Sequence, residues 1–122
     1  MTERAKGCEL CVEGSDIAQT ELAFARFDSD PLCAGHVIVC PRRHVADFFD
    51  LTEAEMAEIL ALLRRCKEIV EECYLPDGYN VGVNCGVAAG QNRMHAHVHL
   101  IPRTFWDSPD PPTGIRCVLP RS

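Results

Sequence analysis

Three of the five histidines in this 122-residue chain, His95, His97 and His99, fall at every second position of Met94-His95-Ala96-His97-Val98-His99-Leu100-Ile101-Pro102. The residues between them are apolar, the pattern of a strand with one face buried. Alternate side chains on a strand point the same way, so the three imidazoles are expected to line one face about 7 Å apart while Met94, Ala96, Val98 and Leu100 face the core. A neutral imidazole is a nucleophile near pH 7, and activated phosphate esters, anhydrides and amidates are among the groups it attacks. The charge that spreads over phosphate oxygens in such a reaction needs donors around it, and Gln91, Asn92, His99 and the amides of the preceding loop form a candidate set. The same spacing allows a second chemistry, in which two strand histidines hold a metal with water in an open position, as in a metal-dependent hydrolase. Spacing alone does not separate the two.

Other elements must hold these residues in place. Cys8-Glu9-Leu10-Cys11 is a CxxC that reads as half of a zinc knuckle, as a redox pair or as coincidence; a knuckle needs two further ligands, and a redox pair needs a strand-to-helix setting that the loop-like Val12 to Asp16 does not offer. Glu21 to Phe27 reads as a strand stopped by Asp28-Ser29-Asp30-Pro31. Gly35 introduces a more buried strand, His36 to Cys40, which should pair antiparallel with the first across that turn. After Pro41 comes the basic cluster Arg42, Arg43 and His44. Thr52 and Glu55 form a capping box with Leu51 placed to pack on Met56, and Met56, Ile59, Leu60, Leu63, Cys66, Ile69, Val70 and Cys73 give one apolar face to a helix running to about Tyr74. Tyr79 to Cys85 alternates as a strand with small polar residues on one face. The loop Gly86-Val87-Ala88-Ala89-Gly90-Gln91-Asn92 then leads into the histidines, and its small residues suit a cradle of backbone amides for an anion. After Arg103 the chain turns irregular, and Ile115 to Leu119 is expected either to return as a short strand before Pro120 or to reach over a partner subunit.

Composition narrows the functions. One domain over 1–122 is expected from the length. The net charge of −6 leaves no broad basic face, which argues against a general nucleic-acid binder or a membrane-surface protein. Any anionic ligand must be held locally, and Arg42, Arg43, Arg93 and Arg103 are the candidates for local positive potential. With no long apolar run, neither a membrane span nor a signal peptide is expected, and the cytoplasm is the expected location. The eight cysteines then read as reduced thiols, with Cys40, Cys66, Cys73, Cys85 and Cys117 as small core residues.

Taken in order, Cys8-x-x-Cys11, Gly35-His36-Val37-Ile38-Val39-x-Pro41-x-x-His44, Asn80-x-Gly82-x-Asn84-x-Gly86, Ala89-Gly90-Gln91 and His95-x-His97-x-His99-x-Ile101-Pro102-Arg103 resemble the histidine-triad family of nucleotide hydrolases and transferases. The resemblance implies an α+β fold with an antiparallel sheet of about five strands, one long helix, an N-terminal knuckle over 1–19, a C-terminal loop or tail over 104–122, and a homodimer built on the helix and sheet. It implies that His97 attacks the α-phosphate of a purine nucleotide to form a nucleotidyl-histidine that water resolves, with His99 on the phosphate and leaving-group side. Asn84, Gln91 and Asn92 match positions that hold phosphate oxygens, Asp28 the acid that bonds the ribose, and Phe27 a base contact. In zinc-bearing relatives the ligands match Cys8, Cys11, His44 and His95, which implies one structural zinc per chain; no organic cofactor is expected. His36 matches a position close to the triad, as a supporting hydrogen bond or as a buried structural histidine.

Hydrolysis of a nucleoside phosphoramidate or a dinucleoside polyphosphate is the expected activity. Transferases of the superfamily resemble His-x-His-x-Gln, whereas His99 stands third here. A non-catalytic nucleotide-binding or interaction module is the remaining alternative. The chain departs from the family at Arg93, where a small apolar residue is common, so the loop there either packs differently or holds an extra phosphate. The stretch around Trp106 to Pro111 resembles the family only loosely.

Overall fold

The computed structural model describes residues 7–12, 14–105 and 107. Five strands, β1 (Asp16–Gln19), β2 (Ala23–Phe27), β3 (Val37–Pro41), β4 (Gly78–Gly82) and β5 (Val98–Arg103), form one antiparallel sheet in the order β1-β2-β3-β5-β4, and the helix α1 (Glu53–Tyr74) packs on it. This is the α+β architecture that the sequence leads one to expect.

Every residue of β3 is buried, because this central strand is covered on both faces. Side chains alternate along it. Val37 and Val39 join Ile59, Leu62, Cys66 and Val70 of α1 in the main core, while Ile38 and Cys40 pack on the opposite face against Phe24 and Leu10, the latter lying inside the CxxC. Each of the large aliphatic side chains in the main core contributes on the order of 1.5–3 kcal/mol by burial, so the helix face holds the sheet flat side down. β5 pairs with β3 so that Leu100 lies opposite Val37 and His99 opposite Ile38. Leu100 and Val98 therefore share the helix face, and His99 shares the face that the cysteine knuckle closes.

The capping box of α1 forms as read: the Glu55 N–H donates to Thr52 Oγ1 at 3.1 Å and the Thr52 N–H to Glu55 Oε1 at 2.8 Å. The buried carboxylate of Glu55 also takes two bonds from Arg43, at 2.8 and 3.1 Å, and so anchors the loop that carries His44. Leu51 and Met56 both reach the core. Its buried stripe is Ile59, Leu62, Cys66 and Val70, whereas Leu60 and Cys73, expected on the apolar face, are exposed. At 3.6 residues per turn Leu60 lies about 100° around from Ile59, off the stripe.

Two further expectations change, and a third is not reached. β1 lies in a stretch read as knuckle and loop; it is a four-residue edge strand with no fully buried side chain and an irregular register to β2, so its pattern is weak. The strand read to Cys85 ends at Gly82, and Cys85 is half-buried and not in the core. The expected strand at Ile115 to Leu119, with Cys117, lies outside the described residues, as does most of the tail over 104–122.

Candidate active site

The histidine stretch enters the sheet ladder only at Val98, not at Met94. Ahead of it the Ala96 N–H donates to Val45 O at 2.7 Å, in the loop after β3, and Met94 is exposed. The histidine face is also not an open one: His95, His97 and His99 are all buried, because the knuckle and the Asp28 turn close over it. The rings of His97 and His99 stand with centroids 5.0 Å apart.

The hydrogen bonds fix which nitrogen of each ring carries a proton. His97 Nδ1 lies 2.8 Å from His95 O, and a carbonyl only accepts, so the proton is on Nδ1 and the lone pair on Nε2. Burial pushes the His97 imidazole down to about 4, which keeps it neutral near pH 7. On the other side of the site the Leu32 N–H donates to His36 Nδ1 at 2.9 Å, so His36 carries its proton on Nε2. That nitrogen is 2.8 Å from His99 Nδ1, which must therefore accept and leave the His99 proton on Nε2. His99 is pushed down to about 3 by burial and by the neighbouring His97 and His36, and His36 itself is lowered by burial. The result is one lone pair on His97 beside one fixed donor on His99, the pairing of a nucleophile with a group that holds developing negative charge.

Asp28 is buried under this chain, with Oδ2 at 3.5 Å from His36 Nε2 and 3.8 Å from His99 Nδ1. Since both histidines are neutral, the full positive charge that faces Asp28 is Arg93, whose Nη2 is 3.3 Å from Oδ1. The same Nη2 is 3.5 Å from His97 Nε2, and Nη1 bonds Glu9 at 2.9 Å. Sequence reasoning named Arg93 as a source of local positive potential and as a departure that either packs differently or holds an extra phosphate, without its partners, and did not single out Glu9; the signal available was a charged residue where an apolar one is usual.

The remaining candidates are more dispersed. Phe27 is half-exposed at the end of β2, Asn84 is buried in the stretch after β4, and Asn92 is exposed beside His44 and Arg93 on a depression of about 480 Å³. Gln91 is buried with its amide already engaged: Nε2 donates to Ala46 O at 2.8 Å and Arg93 O at 3.0 Å, and Oε1 accepts from the Gly86 N–H at 2.8 Å. The amides of Ala89, Gly90 and Gln91 also bond within the loop, to Gly86 O and Val87 O. With Gly86 and Gly90 at φ of 91° and 100°, glycine here serves the turn itself, and the amides counted on for an anion cradle are largely spent.

Cys8, Cys11, His44 and His95 come together, with one ligand atom from each inside 4.8 Å of the others. Tetrahedral zinc with bonds of ~2.3 Å to sulfur and ~2.05 Å to nitrogen has N···N edges of roughly 3.3 Å and S···N edges of roughly 3.6 Å. Here His44 Nδ1 and His95 Nδ1 are 3.3 Å apart, Cys11 Sγ is 3.2 Å from His44 Nδ1 and 3.5 Å from His95 Nδ1, and Cys8 Sγ is 3.6 Å from His95 Nδ1. His95 Nε2 donates to Pro41 O at 2.7 Å, so Nδ1 presents its lone pair, the state a metal ligand needs. The residues therefore fit a tetrahedral ion. His95 has no nitrogen left to share with His97, which speaks against a catalytic metal between those two. Asp28, His36 and His99 also cluster. Their 2.8 Å nitrogen-to-nitrogen contact is a hydrogen bond and is too short for two ligands on one ion.

A family model described as HIT domain matches residues 12–105. A bis(5'-adenosyl)-triphosphatase of Dictyostelium discoideum is 40% identical over 88 residues, 72% of this chain and 59% of the relative, so the chain spans about three fifths of that protein. An adenosine 5'-monophosphoramidase of Schizosaccharomyces pombe is 35% identical over 98 residues, 80% of this chain and 68% of the relative. A Zn-bound histidine triad family protein from Mycobacterium smegmatis has a similar structure, with a TM-score of 0.74 and 28% identity, covering 84% of this chain and 78% of that one.

Proposed function

The chain belongs to the HIT domain family, and from that premise we propose that it hydrolyses a purine nucleoside phosphoramidate or a dinucleoside polyphosphate at the α-phosphate through a covalent nucleotidyl-histidine on His97. The observation that carries this is the bond from His97 Nδ1 to His95 O, which leaves a neutral Nε2 lone pair. That lone pair forms the bond to phosphorus as the bond to the leaving group breaks. A polyphosphate leaves as an anion, whereas an amine takes a proton from water as it departs. Water then attacks the same phosphorus, the phosphorus–nitrogen bond returns its electrons to Nε2, and the water's proton goes to solvent. His99, protonated on Nε2, holds a phosphate oxygen on the leaving-group side throughout. Asp28, Phe27, Asn84 and Asn92 are the proposed nucleotide contacts, with Asp28 on the ribose, while Gln91, its amide engaged by Gly86, Ala46 and Arg93, holds the loop beside them in place. The relatives named for a triphosphatase and a phosphoramidase support the substrate class.

We assign one structural zinc per chain to Cys8, Cys11, His44 and His95, with the zinc-bound relative in support. When bound, it has all four positions filled by protein and supplies cross-linking, not a reactive water. It ties the knuckle to the stretch that carries His97. The proposal extends to a homodimer that covers the exposed Leu60 of α1 and the edge strand β4, and to a cytoplasmic location. No helix among the described residues is long and apolar enough to cross a membrane.

Intact-protein mass spectrometry after brief exposure to an adenosine phosphoramidate, with zinc read in the native state and turnover followed on the same sample, tests the reading. Wild type should carry a nucleotidyl adduct that His97→Ala lacks, with one zinc per chain. Turnover without adduct means fast breakdown and calls for quenching earlier. Neither adduct nor turnover defeats the hydrolase reading in favour of a binding module, and zinc loss that stops turnover in a chain that stays folded points to a catalytic metal.

A further inference from the structure

Arg93 stands at the nucleophile, and its partners are unequal. The Asp28 side chain is 1% exposed, whereas Glu9 is 54% exposed. Taking the guanidinium from Asp28 would strand a buried carboxylate among neutral histidines, which is costly. Releasing Glu9 costs little, since it returns to water and exposed ion pairs contribute little. Arg93 and Glu9 also line the depression of about 480 Å³ that Cys8, His44 and Asn92 border. A phosphorus atom in position to react sits about 3–3.5 Å from His97 Nε2. Its non-bridging oxygens then fall within hydrogen-bond reach of a guanidinium already 3.5 Å from that same nitrogen.

We propose that Arg93 is a catalytic residue: its guanidinium keeps Asp28, gives up Glu9, and closes with both Nη1 and Nη2 on the phosphoryl group that His97 takes up. The fork geometry of arginine suits two oxygens of one phosphate, and its charge offsets what the transition state gathers there. Asp28 has acceptor sites enough for the guanidinium and a ribose hydroxyl together. In the resting protein Glu9 holds the place of the phosphate. This assignment rests on the proposed function, and its ligand is the phosphate of a nucleotide.

The competing account is a strap: Arg93 pins the knuckle to the Asp28 turn and touches no substrate. Calorimetric binding of AMP and of adenosine, with turnover of diadenosine triphosphate, separates the two in wild type, Arg93→Met, Arg93→Lys and Glu9→Gln, each checked for zinc content and thermal midpoint. Loss of two charge-assisted bonds to phosphate should weaken AMP binding by roughly 10- to 100-fold in Arg93→Met, leave adenosine binding as it was, and lower kcat by on the order of 100-fold. Arg93→Lys should fall between. Glu9→Gln should bind AMP at least as tightly as wild type and keep its kcat, because the competitor is gone. If Arg93→Met does not fold, Arg93→Lys and Glu9→Gln carry the comparison. Glu9→Gln losing activity in step with the Arg93 variants, or adenosine binding falling with AMP binding, overturns the assignment in favour of the strap. Wild-type turnover that the Arg93 variants retain in full overturns it alone, while absence of turnover in wild type defeats the proposed function and the assignment with it.

Discussion

Replacing His36 with leucine tests the proton order of the site directly. The ring is fully buried, takes the Leu32 N–H on Nδ1 and gives Nε2–H to His99 Nδ1 at 2.8 Å. Leucine fills much of the volume but leaves a buried acceptor on His99 and a donor on Leu32 without a partner. The first costs about 1–3 kcal/mol, and with the second partly rehydrated the expected loss is about 2 kcal/mol. For a domain of this size that is a fall of roughly 8 °C in thermal midpoint. Activity should suffer more than stability. Without His36 the His99 proton is free to move to Nδ1, which turns Nε2 from donor to acceptor; loss of one such donor costs on the order of 100-fold in rate. His36→Gln keeps an amide N–H able to reach His99 and should recover part of the rate. Urea unfolding and single-turnover cleavage of diadenosine triphosphate give the two magnitudes, and nitrogen NMR of the imidazoles reads the tautomers. Wild-type spectra with the His99 proton on Nδ1, or a His36→Leu enzyme that folds and turns over at the wild-type rate, would refute the chain of reasoning.

Two other outcomes follow from the same geometry. An ordinary imidazole loses half its lone pairs near pH 6.5, whereas burial holds His97 down to about 4, so single-turnover rates per folded molecule should stay level from pH 8 to about pH 5 and drop only below that. A midpoint near 6.5 in a pH-jump experiment contradicts it. Glu55 is held below the usual carboxylate range first by the hydrogen bonds from Arg43. Its folded value lies under its unfolded one, so its contribution is complete above the unfolded pKa and disappears as pH falls through the folded pKa. Glu55→Ala breaks both the capping box and the ion pair of a buried carboxylate with a partly exposed arginine, and should cost about 2 kcal/mol at pH 7. The gap between the two proteins in urea unfolding should narrow in acid, and a gap that does not change with pH rules out the ion pair as its source.

What could be read in advance was what neighbours in sequence decide. The capping box joins Thr52 to Glu55 across three positions, and β3 announces itself as an apolar run between Gly35 and Pro41. The metal set was legible only by resemblance, because Cys11 and His95 lie 84 positions apart. The role of His36 stayed open between a supporting hydrogen bond and a buried structural histidine, since nothing near it in the chain names His99, 63 positions on. Nor could alternation alone say that the histidine face is closed, since that depends on Leu10 and the knuckle packing over Phe24 and Cys40. The same alternation placed Met94 in the core, yet the strand starts four residues later because Ala96 bonds the loop at Val45 and not the sheet.

The charge problem posed by composition takes a local form. On the proposed function a chain of net charge −6 must hold an anion, and four arginines were the candidates for drawing it in. The structure pairs three of them with carboxylates: Arg43 with Glu55, Arg103 with Asp107, and Arg93 with Asp28 and Glu9, while Arg42 bonds the carbonyl of Thr20. Long-range attraction is therefore weak, and at physiological salt screening reduces it further beyond about 8 Å. Selection of a phosphate has to happen on contact. A guanidinium oriented beforehand by a buried carboxylate, and covered by an exposed one that water can take back, meets that need: the anion that arrives replaces Glu9 charge for charge. Capture then costs an exchange of partners, not the desolvation of a bare cation. On this account the affinity for AMP should weaken less steeply with salt than in a protein that gathers phosphates over a broad basic face.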